Sequence, residues 1–174
     1  MDLFRASERL MAMTDEDWAR HANPASVVTR ILILPALAAA ILARGWLGPW
    51  TLVPLALVVA WVWLNPRVFP RPATADGWAT EGVLGERVFL ARRDRAIPAH
   101  HLRWALGLTA ASLAGLPPLV WGLWTLDAGW TLAGLVLTMG AKLWFVDRMV
   151  WLWRDMAAIH PDVAEMKTAV LRRD

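Results

Sequence analysis

The sequence predicts an all-α integral membrane protein: four transmembrane helices arranged as two hairpins, with amphipathic interfacial helices on the cytoplasmic side. Three observations point there. The chain of 174 residues is 57% hydrophobic and only 19% charged, whereas soluble domains run near half apolar with about a quarter charged. The apolar residues gather into long runs rather than alternating. The basic residues avoid every second connection between those runs.

The runs themselves set the elements. Crossing about 30 Å of hydrocarbon takes roughly 20 helical residues. "ILILPALAAAIL" is short, but extended over 27–47 it is long enough, with Arg30 and Arg44 snorkelling toward headgroups. "WTLVPLALVVAWVWL" supplies a second short span over 49–64. Residues 105–126 and 130–146 give the third and fourth, the last with Lys142 inside it. The predicted organisation is a cytoplasmic N-terminal segment (1–26), a first hairpin (27–65), a cytoplasmic loop (66–103), a second hairpin (104–147) and a cytoplasmic helical tail (148–174). The N-terminal "MDLFRASERLMAMTDED" carries acids and no continuous apolar core, so no cleavable signal peptide is expected.

Orientation follows from the arginines. Arg5, Arg9, Arg20 and Arg30 precede the first span. Arg67, Arg71, Arg87, Arg92, Arg93, Arg95 and Arg103 fill the middle loop, and Arg148, Arg154, Lys167, Arg172 and Arg173 follow the fourth span. The opposite side holds Arg44 alone. The expectation is a multi-pass protein of the cell (inner or plasma) membrane with both termini cytoplasmic. Tryptophan is abundant, 13 against no Tyr and four Phe. Trp46, Trp50, Trp124 and Trp130 are expected at the outer interface, and Trp61, Trp63, Trp104, Trp144, Trp151 and Trp153 at the inner one, as aromatic belts.

The hairpins resemble each other. "LPALAAAILARGWLGPWTLVPLALVVAWVWLNPR" aligns with "LPPLVWGLWTLDAGWTLAGLVLTMGAKLWFVDR", which predicts a parallel internal repeat with Asn65 and Asp147 near-equivalent at the inner ends of spans two and four. Proline punctuates the boundaries. Pro66 is expected to end the second span, and Pro24 to end a short helix over "TDEDWARH" capped by Thr14. In the loop, Asp76 is placed to cap a helix carrying Trp78, Leu84, Val88 and Ala91 on one side, with Glu81, Arg87 and Arg92 off it, lying on the inner leaflet. "DLFRASERLMAM" is expected to lie likewise, with Leu3, Leu10 and Met11 inward.

Polar groups therefore collect at one interface. The catalytic candidates are His21, Glu86, His100, His101 and Asp147; the ligand-binding candidates are Asn23, Arg30, Asn65, Arg87, Lys142 and Arg148, with Asp155 nearby. Imidazoles and carboxylates suit either metal binding or general acid–base work. The spacing assigns neither: no HExxH occurs, no two histidines stand at i, i+4, and adjacent His100 and His101 on a helix diverge by about 100°. No metal ligand and no cofactor is therefore assigned. Cysteine is absent, which removes disulfides and thiolate sites. Four histidines are too few for the histidine boxes of membrane oxygenases. No span has the deep acid a proton-coupled transporter normally carries. Lys142 is expected to snorkel or to pair with Asp147.

"WxRHANPxSVxTR", "LNPRxFPxP", "LGERVxL" with "IPAHH", and "KLWFxDRMVWL" together resemble a family of small uncharacterised prokaryotic membrane proteins, over a stretch from Trp18 to Met156. The resemblance implies a multi-span membrane protein and brings no activity with it.

Two functional readings stand. One is a binding or accessory protein whose cytoplasmic collar holds an anionic lipid headgroup or a partner protein. The other is a small membrane enzyme acting on a lipid or amphipathic substrate through a His/carboxylate site. The expected surroundings are the bilayer and a second copy of the chain (a homo-oligomer shielding Lys142), with no nucleic acid.

Overall fold

The computed structural model describes residues 14–172. The expected amphipathic helix around Leu3, Leu10 and Met11, and Arg5, Arg9 and Arg173, lie outside them. The regular structure of the described residues is all helical, with no strand: α1 (Asp15–His21), α2 (Pro24–Ile31), α3 (Ile33–Leu42), α4 (Arg44–Leu47), a 3₁₀ turn (Gly48–Thr51), α5 (Leu52–Val68), α6 (Trp78–Leu90), α7 (Ala99–Ala114), α8 (Leu116–Thr125), α9 (Ala128–Ile159) and α10 (Pro161–Leu171).

Three stretches are long and apolar enough to cross a membrane: Pro24–Val68, Ala99–Thr125 and Ala128–Ile159. Only 22%, 22% and 28% of their most apolar windows are buried inside the protein, so most of this apolar surface has no protein cover. Exposed patches on that scale mark a membrane or an interface. The first stretch is folded back on itself. Gly48 takes φ +53°, a conformation that favours glycine, and α3 packs against α5. The two ends of the stretch meet: Asn23 Nδ2 donates to the Pro70 carbonyl at 2.9 Å, and Arg20 Nη1 to that of Arg67 at 3.1 Å. At the other end, Arg44 donates to the Trp124 carbonyl, which brings this turn beside the turn between α8 and α9.

Proline and capping chemistry set the boundaries. Thr14 and Asp17 form a capping box on α1, with Asp17 N donating to Thr14 Oγ1 at 3.1 Å and Thr14 N to Asp17 Oδ2 at 3.0 Å. Asn23 caps α2 by accepting from Ala25 N at 2.9 Å, and Pro24 takes the first helical position, where its missing N–H costs nothing. The interruptions between α2 and α3, and between α7 and α8, fall where Pro35 and the Pro117-Pro118 pair cannot donate back to the preceding turn. Leu126 at φ 59° closes α8, and Asp127 caps α9 through Trp130 N at 3.0 Å.

Helix α9, at 32 residues or about 48 Å, is the axis of the molecule. α7 and α8 lie along it, with Gly115 against Thr138, Leu119 against Gly134 and Gly122 against Thr131, so close that a Cβ on any of these glycines would meet the opposite residue. Small residues let helices approach in this way. α6 crosses α9 with Gly85 on the Met149 backbone and Gly82 on Val146. The buried core sits at this end rather than among the apolar windows. Leu84, Val88 and Phe89 of α6 meet Phe145, Met149, Leu152 and Met156 of α9, with Trp18, Val27, Val163 and Val170 closing the sides.

Several expectations are corrected here. α6 is enclosed rather than laid open on one face: even Glu81 is buried, because α9 covers its glycine side and α2 and α10 pack against it as well. Gly77 rather than Asp76 stands at its N-cap, and Asp76 pairs with Lys167. α5 continues through Pro66 to Val68. Asn65, which would otherwise avoid helical geometry before a proline, is held by two side-chain hydrogen bonds described below. Trp153 is 4% exposed and belongs to the core; it does not stand at an interface.

Candidate functional site

Around the crossing of α6 and α9 lies a layer of charged and polar side chains bordered by apolar helix. Lys142 Nζ donates to Glu86 Oε1 at 2.7 Å, and its ammonium also sits 4.4 Å from the Phe145 ring centroid, within cation–π range. Arg30, the last residue but one of α2, reaches back to donate Nη2 to the His21 carbonyl at 3.0 Å. His21 closes α1 edge-on to Trp18, with ring centroids 5.4 Å apart. Its Nδ1 is buried with no hydrogen-bond partner.

The electrostatics of this group are mutual. Burial pushes the His21 imidazole down to about 3, and the Arg30 charge pushes the same way. His21 is therefore neutral at physiological pH, and a base that weak is far from the poise near 7 that general-base catalysis needs. Burial works to raise Glu86, but Lys142 and Arg30 outweigh it and hold the carboxyl below its usual range. The layer thus carries two cations, one carboxylate and one neutral imidazole.

Beneath it, hydroxyl and amide groups tie the helices together. Ser26 Oγ donates to Asn65 Oδ1 at 2.7 Å, and Asn65 Nδ2 donates to Thr29 Oγ1 at 2.7 Å. Thr80 Oγ1 donates to the Ala22 carbonyl at 2.8 Å. Asn23 and Asn65 are thus occupied in joining α2 to α5 and to the segment after it. Arg87 stands over Trp18, 5.7 Å from its centroid.

Asp147 lies apart from this layer. It accepts from Arg148 Nη2 at 2.9 Å, while Arg148 also stands 5.5 Å from the Trp151 ring. Lys142, expected to snorkel or to pair with Asp147, pairs with Glu86: α6 brings that carboxylate within reach. His21 consequently shares its layer with Arg30, Glu86 and Lys142 rather than with Asp147 or Arg148.

The histidine pair forms a second group. His101, 3% exposed at the start of α7, turns inward onto Asp155, with Nε2 and Oδ2 2.8 Å apart. The adjacent rings do not diverge. Their centroids lie 4.1 Å apart and the planes are tilted by 40°, and one donor atom from each of His100, His101 and Asp155 falls within 4.8 Å of the others.

The sequence reading missed Ser26, Thr29 and Thr80. Short hydroxyls inside apolar helices look like ordinary small residues, and only the position of Asn65 opposite Ser26 and Thr29 gives them a role. No curated protein and no solved structure matches the chain. The chain belongs to the family of unknown function DUF6653, whose sequence model matches residues 6–170.

Proposed function

We propose that this is a four-span membrane protein, with both termini cytoplasmic, whose inner polar layer binds the headgroup of an anionic phospholipid. The observation that carries the reading is the buried, unpartnered Nδ1 of His21 beside Arg30 and Lys142. Buried polar atoms nearly always have a partner, and this one sits where positive charge exceeds negative. With its proton on Nδ1, a neutral imidazole donates to a phosphate oxygen, and the Arg30 guanidinium supplies the charge-assisted bonds that phosphate favours. The headgroup level is the right one. Lys142 borders a cavity of about 90 Å³ whose other walls include Thr109, Ser112 and Phe145, and uncovered apolar helix runs on from the layer to take acyl chains.

The span count rests on reading Pro24–Val68 as two passes, since it reverses at Gly48 and its ends meet. The orientation rests on the arginines. Both are tested by accessibility in this cysteine-free chain. Ala43→Cys and Ala128→Cys are expected to react with an impermeant maleimide from outside, and Ala164→Cys only after permeabilisation; the reverse pattern rejects the topology.

The lipid reading is tested by native mass spectrometry of the protein released from nanodiscs of mixed phosphatidylglycerol and phosphatidylcholine. Retention of phosphatidylglycerol is expected, and Arg30→Gln is expected to weaken it severalfold while Arg103→Gln, on an exposed side chain, leaves it unchanged. Equal retention of the two lipids, or equal effects of the two substitutions, rejects a defined headgroup site in favour of diffuse attraction by the arginine-rich face.

A further inference from the structure

We propose that His100, His101 and Asp155 form a binding site for a first-row divalent transition ion such as zinc or iron(II). The His101–Asp155 hydrogen bond by itself accounts for one histidine. It gives no reason for the second imidazole to lie against the first, on a helical turn where consecutive side chains ordinarily diverge. Together the three residues bring two imidazole nitrogens and a carboxylate oxygen within 4.8 Å of one another. Donors on a tetrahedral ion at about 2.1 Å lie roughly 3.4 Å apart, so the group needs to close by little more than an ångström.

The donor chemistry selects the ion class. Two imidazoles and one carboxylate suit zinc and iron(II); all-oxygen sites suit calcium and magnesium, and thiolates suit copper(I). The framework is rigid on both sides. His101 is 3% exposed and fixed in the first turn of α7, and Asp155 stands on the long helix α9. His100 and the Asp155 carboxylate are exposed, which leaves the outer coordination positions open to water or a small ligand. The start of α7 carries about half a positive charge, which opposes a cation, but the Asp155 carboxylate outweighs it. The adjacent Arg154 is already paired with Glu81 at 2.8 Å.

The test uses the full chain, purified in detergent on a tag without histidine and stripped with a chelator, then titrated with Co²⁺ and competed with Zn²⁺. One Co²⁺ per chain is expected, with the intense visible bands of a low-coordinate site that Zn²⁺ abolishes. His100→Ala and Asp155→Asn are expected to weaken binding about tenfold or more, and His160→Ala to leave it unchanged. Thermal unfolding of each variant without metal shows whether the fold survives. If Asp155→Asn also loses stability, His100→Ala decides, because that ring is exposed. No stoichiometric Co²⁺ binding, or His100→Ala binding as tightly as the parent, overturns the proposal.

Discussion

Ser26 and Asn65, both fully buried and 39 positions apart, share a 2.7 Å hydrogen bond that fixes α2 against α5. The amide also donates to Thr29, so one side chain serves both hydroxyls, and Thr29 in turn donates to the Ala25 carbonyl at 2.8 Å. Because Asn65 precedes Pro66 inside a continuous helix, the same contacts hold the backbone where the proline disfavours it.

Asn65→Ala is therefore expected to lower stability by about 1–3 kcal/mol, the cost of leaving buried polar partners unsatisfied. The Ser26→Ala/Asn65→Ala pair is expected to cost less than the sum of its single changes, since the second substitution removes the group the first one orphaned. Thermal unfolding of the four proteins in one detergent measures both. Additive losses reject the coupling.

Stability is expected to rise with pH across the acidic range, for two separable reasons. His21 is held near 3 in the folded protein against an ordinary value of 6.5. Between those values the unfolded chain binds a proton that the folded one does not, so stability falls as pH drops from about 6.5 toward 3, by at most about 1.4 kcal/mol per unit. Glu16, paired with Arg71 and Arg20, is lowered to about 2 from 4.5. Its contribution is complete above about 4.5 and is lost as pH falls toward 2, but the side chain is 41% exposed and solvent screening keeps the effect small. His21→Leu is expected to flatten the curve between pH 6.5 and 4.5, and Glu16→Gln only below that. An unchanged slope in His21→Leu rejects a buried neutral imidazole.

What was legible in the sequence, and what was not, divides along physical lines. Local chemistry read correctly: the Thr14 cap and the chain break at Asn23-Pro24 both depend on neighbours a few positions away. Pairings across helices did not. Lys142 and Asp147 are five apart on one helix, but Glu86 reaches Lys142 because Gly82 and Gly85 let α6 settle against α9; nothing in the apolar pattern announces that depth of contact. Trp153 looked like its neighbour Trp151, yet the helix turns one into the core at 4% exposure and leaves the other 47% exposed. A buried α6 also hid the fact that the core of this protein lies at its charged end.

The glycines give the most direct test of that packing. A Cβ on Gly85 would strike the Met149 backbone, and one on Gly122 the Thr131 backbone; neither can move aside without shifting α9. Gly85→Ala and Gly122→Ala are each expected to cost about 1–3 kcal/mol as overpacking strain. Gly107 lies in α7 and Gly140 in α9, with nothing within 4 Å of the added carbon. There, Gly→Ala is expected to gain up to about 1 kcal/mol from helix propensity alone. The opposite signs matter because all four are the same chemical change in apolar helices. Chemical unfolding in a fixed detergent is the measurement, and a loss at Gly140 equal to that at Gly85 rejects α6 and α9 as the tight interface of the fold.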